Sequence, residues 1–290
     1  ADGLRAVLAG RPGTEDRAID AGIGEGGDRS LVIDREAEAA VFAQLDALHA
    51  EGVRFTAVSE ERGQVDYGDP GLLVVIDPID GSLNAKRGVG HHALSLAVAD
   101  GPSMADVAFG YVHDFGPGEE WVARRGAGAE LNGVALDPAA PDRRRPSGRL
   151  EIVGIESADP RWIAASIDPL LGSAHRIRAL GTIAVTMCQV AAARFDAMAT
   201  LRNCRAFDAA ASQLIVREAG GLVDFTAFDE PLAAPLDLLP RSPVVAARSA
   251  EGLARLTALG ATALTLDAAE AASCAALAWS IDGESFDQVW

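Results

Sequence analysis

The chain contains the stretch Val75-Ile76-Asp77-Pro78-Ile79-Asp80-Gly81-Ser82, in which a short apolar strand meets two carboxylates and then a Gly-Ser pair. We expect both carboxylates and the Ile79 carbonyl to point the same way, and these hard oxygen ligands suit Mg²⁺. Gly81 lets the backbone approach an anion closely, and the N–H groups of a helix that begins here can bind phosphate. The alternative interpretation is a turn in which the two acids only cap the backbone.

Three further segments end an apolar run with an acid, and all three are distant from residues 75–82. They are Leu31–Asp34, Val58–Glu61 and Ala206–Asp208. A single acid after a strand is more often a helix cap. Together, the four segments indicate that strand ends and helix starts converge on one cation site.

The charge balance points away from nucleic acid and toward metal. The chain has 42 acidic and 25 basic residues, which gives a formal net charge of −17. Such a surface repels a nucleic-acid backbone and no basic stripe offsets it, so we expect no nucleic-acid partner. A protein this acidic that binds phosphates needs positive charge at the point of contact, and metal ions can supply it. The alternative is that the acids only keep the protein soluble.

Apolar runs and cysteines favour a cytoplasmic protein. The longest apolar runs, such as Gly71–Ile76, fall far short of the ~20 residues that cross a membrane, so we expect no membrane partner. No charged-then-apolar leader is visible at the N-terminus, and nothing there argues for export. Cys188, Cys204 and Cys274 are too few and too scattered for a disulfide framework or a zinc site.

The apolar pattern predicts two domains. We expect residues 1–150 to form an α+β metal-binding domain with a mostly antiparallel sheet, and residues 151–290 to form an α/β domain with a C-terminal extension. The boundary rests on Asp137–Gly148, which is dense in proline and charge. The first domain is predicted to contain a helix over Asp34–Ala50 and strands at 55–58, 72–76, 93–98, 107–112 and 121–123. The second is predicted to contain a strand at 152–155 and helices at 183–193, 209–219 and 267–279.

Four ordered motifs make the chain resemble a known superfamily. They are Ser59–Glu61, Asp77–Ser82 followed by Asn84, Arg178–Ala184 and Phe207–Gly221. Their order and spacing are similar to those of the inositol monophosphatase and archaeal-type fructose-1,6-bisphosphatase superfamily, over residues 28–250. The Ser-Glu-Glu and Asp-Gly-Ser variants, with a hairpin at Tyr111–Asn132, favour the archaeal-type branch. The resemblance implies a sugar-phosphatase fold, which is a layered α-β-α-β-α sandwich, and a homodimer.

The resemblance also implies that six residues supply oxygen ligands to two or three Mg²⁺ ions. These ligands are Glu60, Asp77, the Ile79 carbonyl, Asp80, Asp208 and Glu61. Asp77 would be shared by the first and second ions, and Glu61 would help Glu60 to place a weaker third ion. The family's exchange of its second metal for Li⁺ further implies inhibition by lithium.

Catalytic and substrate-binding roles follow from the same resemblance. The family's hydroxyl and aspartate pair that activates water falls on Ser82 and Asp34, with Glu60 holding an ion beside them. The Gly181-Thr182-Ile183 turn would lie beside the organic part of the substrate. The implied contacts to the phosphate and its ions come from Asp80, Gly81, Ser82 and Asp208.

The rate acceleration that phosphate-monoester hydrolysis needs favours a two-metal mechanism. The slowest phosphate-monoester hydrolyses need ~20 orders of magnitude of acceleration. A lone general base supplies about 10²–10⁴ of this. Two metal ions ~3.5–4 Å apart can generate hydroxide on one side and stabilise the leaving alkoxide on the other. We therefore expect direct attack by water, and the alternative is a covalent intermediate on Asp77 or Asp80.

The expected substrate is a small phosphate monoester, either a sugar phosphate such as fructose-1,6-bisphosphate or inositol monophosphate. Members that select inositol phosphate carry an acid shortly before the Phe207–Asp208 position, whereas Ala199–Asn203 has none. Phe207 also stands where the family often has Trp. The alternatives are a nucleotide 3′-phosphatase of the same superfamily and a catalytically silent metal-binding scaffold. The presence of every ligating acid and of the Ser82 hydroxyl favours an enzyme.

Three weaker signals remain. Lys86, the single lysine, follows the phosphate loop and is predicted either to contact phosphate or sugar or to be a plain surface charge. Gly22–Gly27 is similar to a dinucleotide-binding glycine pattern but follows no convincing strand, so we predict a mobile loop, which the family places near the metals. His91 and His92 are expected to be exposed or to cap the backbone.

Overall fold

The structure is a computed structural model that describes residues 1–23, 29–239 and 241–259. Its helices are α1 (Asp2–Gly10), α2 (Thr14–Arg17), α3 (Val32–Ala50), α4 (Ser82–Arg87), α5 (Pro160–Ala165), α6 (Ile167–Ser173), α7 (Ile183–Ala191) and α8 (Ala210–Glu218), and residues 250–259 are also helical. Its strands are β1 (Asp20–Ile23), β2 (Arg29–Leu31), β3 (Thr56–Ser59), β4 (Gly63–Asp66), β5 (Leu73–Asp80), β6 (Ala93–Ala99), β7 (Val107–Asp114), β8 (Glu119–Arg124), β9 (Gly128–Leu131), β10 (Val134–Ala135), β11 (Leu150–Glu156), β12 (Ala174–Arg178), β13 (Ala197–Thr200), β14 (Cys204–Arg205), β15 (Leu222–Phe225), β16 (Arg241–Ser242) and β17 (Val244–Ala247).

The N-terminal half is built on an eight-stranded sheet in the order β10-β9-β8-β7-β6-β5-β3-β4. All of its neighbouring strands are antiparallel except β3 and β5, which are parallel. The predicted meander and mostly antiparallel sheet are therefore confirmed. Since parallel strands end at the same edge, Ser59 at the end of β3 pairs with Ile76 of β5. This register sets Glu60 beside Asp77, which lies seventeen positions later in the sequence.

One face of this sheet is covered by α1 and α3. The buried side chains of α3, such as Ile33, Phe42 and Leu45, pack in one apolar cluster with residues of β3 and β5. The helix begins at Val32, two residues earlier than predicted, because the Asp34 carboxylate accepts the Leu31 N–H (3.0 Å) within its first turn.

The C-terminal half contains a five-stranded mixed sheet in the order β12-β11-β13-β17-β15. In it β11 is parallel to β12 and β13, whereas β17 is antiparallel to both of its neighbours. The outer face packs Trp162 of α5, Leu170 of α6 and Leu256. The predicted strand at 152–155 and the helices near 183–193 and 209–219 are confirmed as β11, α7 and α8.

The two sheets share a middle layer made of α7 and α8. Both helices are almost entirely buried, and their side chains form one apolar cluster with Trp121 of the first sheet and Met198 of the second. The layers therefore run helix, sheet, helix, sheet, helix, which confirms the predicted α-β-α-β-α sandwich.

The predicted domain boundary falls between β10 and β11, where the chain passes from one sheet to the other. This segment is not a loose linker, because the Arg248 guanidinium donates to the Pro138 carbonyl (3.3 Å) and the Ala140 carbonyl (2.8 Å). The Arg143 N–H also donates to Asp196 (2.7 Å). The division at residue 150 stays a prediction.

Some predictions concern residues that are only partly described. Gly22 lies in β1, which pairs with β2, so the loop predicted at 22–27 is wrong at that residue, and Gly24–Gly27 lie outside the described residues. The predicted helix at 267–279 and Cys274 also lie outside them. Cys188 and Cys204 are free and buried, as expected for structural thiols. Across the part of the chain that the structure describes, no helix has the length and apolar character needed to cross a membrane.

Gly110 marks the point where β7 lies directly on α8. A Cβ atom added there would be 2.5 Å from the Ala211 carbonyl oxygen, so Gly110→Ala must push the helix away from the strand. Overpacking of this kind costs about 1–3 kcal/mol, and we expect a melting temperature lower by about 2–10 °C. Gly10→Ala, whose Cβ atom meets nothing within 4 Å, is the matched control and should melt like the wild type. Equal melting of the two variants would contradict this packing.

Candidate active site

The end of β5 carries Asp77 and Asp80, and an irregularity in the strand turns both into the same site. Pairing with β6 is regular up to Asp77 opposite Ser95 and resumes at Asp80 opposite Ala93. Three steps on β5 therefore match two on β6, which is the pattern of a β-bulge. Without the extra residue, the two side chains would point to opposite faces of the sheet. The predicted turn is thus an irregular strand end, and both carboxylates are buried.

Gly81 follows this bulge at a point where the two halves approach each other closely. Its φ is 90°, and an added Cβ atom would lie 3.0 Å from the Gly181 carbonyl oxygen and 3.2 Å from that of His91. Only glycine tolerates both conditions. The next residue, Ser82, begins α4 as predicted, and its hydroxyl donates to the Ile79 carbonyl (3.0 Å).

The first turn of α3 brings Asp34 to Ser82, as the resemblance implied. One carboxylate oxygen of Asp34 accepts the Leu31 N–H, and Oδ1 is buried without a hydrogen-bond partner among the described residues. Burial raises the pKa of Asp34 to about 6, the Leu31 N–H and the Ser82 hydroxyl oppose this rise, and the charge of Glu60 adds to it. This pKa suits a group that accepts a proton near neutral pH.

The second half contributes Asp208 from a 3₁₀ turn (Ala206–Ala209) that precedes α8. Arg205 lies just before this turn and bridges the two halves. Its Nη1 is 2.5 Å from Glu60 Oε1, and its Nε is 3.4 Å from Asp208 Oδ1. Sequence reasoning missed Arg205, whose only signal was a base three residues before a candidate ligand in an acidic chain.

The buried carboxyls of this cluster resist ionisation. Burial raises the pKa of Asp77 well above its usual range, and the charges of Asp80 and Glu60 raise it further. Burial likewise raises the pKa of Asp80 to about 6 and that of Asp208 to about 7. For Arg205, burial favours the neutral form, but the charges of Asp208 and Glu60 outweigh it and raise the pKa. Positive charge is therefore what this cluster favours.

The donor set matches a hard divalent cation. Ionised carboxylates only accept, and Asp208 Oδ1 is buried without a hydrogen bond in the described part of the chain. Within residues 1–23, 29–239 and 241–259, no three His, Cys, Asp or Glu side chains surround a single point closely enough to hold an ion. Arg205 instead bridges two of the acids. The acids thus fit a cation by charge and ligand chemistry, but their side chains are not arranged around a single point.

A cavity of ≈ 850 Å³ opens beside the acids, and both halves line it. Of the predicted substrate-binding residues, its lining includes Asp80, Gly181, Thr182 and Ile183, but not Gly81, Ser82, Lys86 or Asp208. Asp80 joins the two sets, because its Oδ2 accepts the Thr182 hydroxyl and the Ala184 N–H (2.7 Å). The predicted turn beside the substrate is thus tied directly to the acid cluster.

Glu156, at the end of β11, fixes the same turn from the other side. It accepts the N–H groups of Leu180 and Gly181 (both 3.0 Å) and the Thr186 hydroxyl (2.6 Å), and burial raises its pKa to about 7. From the first half, the Asn84 amide donates to the Leu180 carbonyl (2.6 Å). Glu156 ends an apolar run in the same way as the other site acids, so the pattern that found them would also have found it.

Three weaker predictions have mixed outcomes. His91 is half-buried, and its Nδ1 lies 2.8 Å from the buried Asp114. His92 is only 9% exposed and stacks on Phe115 with ring centroids 5.7 Å apart, so an exposed position is wrong for it. The alternative that these histidines cap the backbone stays a prediction. Lys86 is half-buried in the last turn of α4 and does not line the cavity, so its predicted contact with substrate stays a prediction.

Comparison with known proteins identifies the family. The family model described as the inositol monophosphatase family matches residues 11–260. The chain belongs to this family. A fructose-1,6-bisphosphatase/inositol-1-monophosphatase of Methanothermobacter thermautotrophicus is 32% identical over 222 residues, which are 73% of this chain and 76% of the relative. The Nus factor SuhB of Escherichia coli K12 is 32% identical over 198 residues, which are 67% of this chain and 71% of the relative.

Solved structures of the family share the fold. A crystal structure of an inositol monophosphatase-fructose 1,6 bisphosphatase, the MJ0109 gene product, superposes with a TM-score of 0.73 and 27% identity, covering 89% of this chain and 95% of that one. The extragenic suppressor protein suhB of Bartonella henselae, at 23% identity, gives a TM-score of 0.70 over 89% of this chain and 94% of that one. The predicted superfamily is confirmed, and membership supports a metal-dependent phosphatase activity in a family that also includes the SuhB-named relatives.

The acid cluster makes the stability of the metal-free protein depend on pH. The pKa values of Asp80 (about 6) and Asp208 (about 7) exceed the ordinary 3.8, so between pH 4 and 7 the folded chain binds more protons than the unfolded chain. The free energy of unfolding therefore falls as the pH rises through this range. In EDTA, we expect a higher melting temperature at pH 5.5 than at pH 8.

Two comparisons test the origin of this pH dependence. Excess Mg²⁺ should reduce the difference, because a cation stabilises the ionised carboxylates. Asp208→Asn should also reduce it, since one of the raised groups is removed. A wild-type protein that melts at the same or a higher temperature at pH 8 in EDTA would contradict the assignment.

Proposed function

We propose that this protein is a Mg²⁺-dependent phosphatase that hydrolyses a small phosphate monoester by direct attack of water. One observation carries the proposal: Glu60, Asp77, Asp80 and Asp208 come from three distant segments and gather beside a cavity that Asp80 lines, and burial raises the pKa values of the three aspartates. Arg205 pairs with two of these acids, so one guanidinium does not balance all four. Buried acids with perturbed pKa values are typical of functional sites. The 32% identity to relatives named as phosphatases supports the same conclusion.

The acids and the Ile79 carbonyl are the proposed ligands of two to three ions, with Glu61 assisting at the third. When bound, the ions supply an activated water and positive charge toward the leaving oxygen. Ser82 and Asp34 are proposed to orient that water and take its proton, since Asp34 has a pKa of about 6 and lies next to the Ser82 hydroxyl. Because Asp77 and Asp80 are proposed as ligands, we favour this route over a covalent intermediate on either residue.

The cavity supports a substrate with a second anionic group. Arg202 and Arg241 line the same cavity as Asp80, and the Arg202 guanidinium lies 5.1 Å over the Trp162 ring. A planar guanidinium that stacks on an aromatic ring is well placed to bind a phosphate. Fructose-1,6-bisphosphate offers this second group, whereas inositol monophosphate does not. We therefore propose a sugar bisphosphate in preference to an inositol phosphate.

Other features that the resemblance implies remain part of the proposal. They are a homodimer, a cytoplasmic location and inhibition by lithium. A role without catalysis stays as the alternative, because relatives 32% identical to this chain are named Nus factor SuhB.

Asp208→Asn tests the acid cluster without changing its shape. We expect kcat/KM to fall by about 10²-fold or more with Mg²⁺, since a ligand charge is lost, while Asp100→Asn at an exposed ion pair serves as control. The assay measures release of inorganic phosphate from fructose-1,6-bisphosphate, inositol-1-phosphate and adenosine-3′,5′-bisphosphate. A wild-type protein that turns over none of these at saturating Mg²⁺ favours the scaffold. Wild-type rates in Asp208→Asn would remove the cluster from catalysis.

Arg202→Met tests the preference for a second anionic group. The variant keeps the apolar stem and loses the charge, so we expect KM for fructose-1,6-bisphosphate to rise about 10-fold, as for a lost charge-assisted hydrogen bond. KM for inositol-1-phosphate should change little. Arg124→Met is the control, because Arg124 also lies over an aromatic ring, that of Phe109 at 5.5 Å, and does not line the cavity. An equal rise for both substrates would show that Arg202 does not sense the second anion.

A further inference from the structure

A second groove, of ≈ 430 Å³, lies between α1, α2 and the turn that follows α4. Its charged and ionisable lining residues are Arg5, Arg17 and His92, and no acid lines it. In a chain with 42 acids and 25 bases, a groove whose charged lining residues are both arginines is unexpected by composition. We call these three residues and the surrounding surface the basic groove.

Arg17 is held in place by backbone oxygens. Its Nε donates to the Arg11 carbonyl (2.6 Å), Nη1 to the Ala85 carbonyl (2.8 Å) and Nη2 to the Leu8 carbonyl (2.9 Å). In the described ranges, its hydrogen bonds go to these neutral acceptors alone, which use three of its five N–H donors. The positive charge is therefore fixed at the groove without being neutralised by a carboxylate hydrogen bond.

Arg5 pairs with a weakly held acid. Its Nη1 lies 2.8 Å from Asp2, whose side chain is 96% exposed. Exposed ion pairs of this kind are worth little, so an incoming anion can compete for the guanidinium. The Nη2 of Arg5 lies 2.8 Å from Nε2 of the buried His113, and burial together with the Arg5 charge lowers the pKa of that imidazole. His113 thus accepts this hydrogen bond as a neutral ring and orients Arg5.

His92 adds a buried nitrogen that lacks a partner. Its ring is stacked on Phe115, which also lines the groove, and its Nδ1 has no hydrogen-bond partner in the part of the chain that the structure describes. A buried polar atom of this kind is costly unless something binds it. In the tautomer that carries its hydrogen on Nδ1, the ring can donate to an oxyanion in the groove, which would then be the missing partner.

We propose that the basic groove binds a phosphoryl group or a similar small dianion, held by Arg5, Arg17 and His92. Val89 lines both the groove and the active-site cavity, so one turn separates the two. The Arg17 bond to Ala85 also ties the groove to α4, which starts at Ser82. A ligand in the groove therefore lies against the turn after α4, the helix that starts at Ser82.

Calorimetric titration of the full chain with inorganic phosphate in EDTA tests this site. Without divalent cations, the acid cluster repels phosphate, and the heat that is lost in Arg5→Gln and His92→Phe reports the groove rather than the Arg202 side of the active-site cavity. We expect one phosphate per chain, with affinity weakened at least ~10-fold in Arg5→Gln and in His92→Phe, which keeps the ring stacked on Phe115. Arg54→Gln removes one exposed arginine that lines neither cavity and should bind like the wild type. Melting curves check that each variant is folded.

Further arms identify the natural form of the anion. Titrations with glycerol 2-phosphate and with a nucleoside 5′-monophosphate show whether an organic group improves binding. Tighter binding of an ester indicates a phosphorylated metabolite, and equal binding indicates free phosphate. The proposal is overturned if the wild type binds none of the three at 10 mM, or if both variants bind as the wild type does. Phosphatase activity is not needed for any of these readouts, so the two proposals fail independently.

Discussion

Buried carboxylates repel one another, and the site is organised around this repulsion. Asp77, Asp80 and Asp208 all have raised pKa values, because burial removes the water that stabilises charge and each acid lies in the field of the others. Within the described residues, the guanidinium that meets them is that of Arg205. Such a cluster costs stability unless cations join it, which supports the proposal that these acids bind cations.

The cluster exists only because the two halves of the molecule meet closely. The first half supplies the strand ends with Glu60 and Asp77, and the second supplies Asp208 and the turn after Leu180. Gly81 approaches the Gly181 carbonyl so closely that a methyl group would not fit without movement. Since α7 and α8 pack on both sheets, the apolar middle layer holds these charged segments at fixed separation. The free energy gained by apolar packing thus offsets the repulsion among the buried carboxylates.

Family membership indicates the type of reaction, whereas the residues of the cavity bear on which substrate is bound. The family match supports phosphate chemistry at the acid cluster. We propose that selection of the organic part depends on the cavity that Arg202 and Arg241 line. The nearby stretch Ala199–Asn203 lacks an acid. In a strongly acidic chain, arginines that face cavities are the positions at which an anion can be held. The basic groove beside α4 follows the same physical logic at a second place.

The sequence alone determined the elements and most of the acids of the site. Alternating and helical apolar patterns predicted the meander, β11, α7 and α8, because these patterns depend on neighbours along the chain. The rule that an apolar run ends in an acid found Asp77, Glu60 and Asp208, and it applied equally to Glu156, which was overlooked. The same rule found Asp34, and the resemblance added its pairing with Ser82, which the structure brings close to it.

Tertiary structure alone decided the rest. The bridge from Arg205 to Glu60, the burial of His92 and the bulge that turns Asp77 and Asp80 to one side depend on contacts between segments far apart in sequence. Burial also set the pKa values, since an aspartate has the same chemistry everywhere until its surroundings exclude water. Local sequence encodes which groups are present, whereas the distances between them arise only when the chain packs.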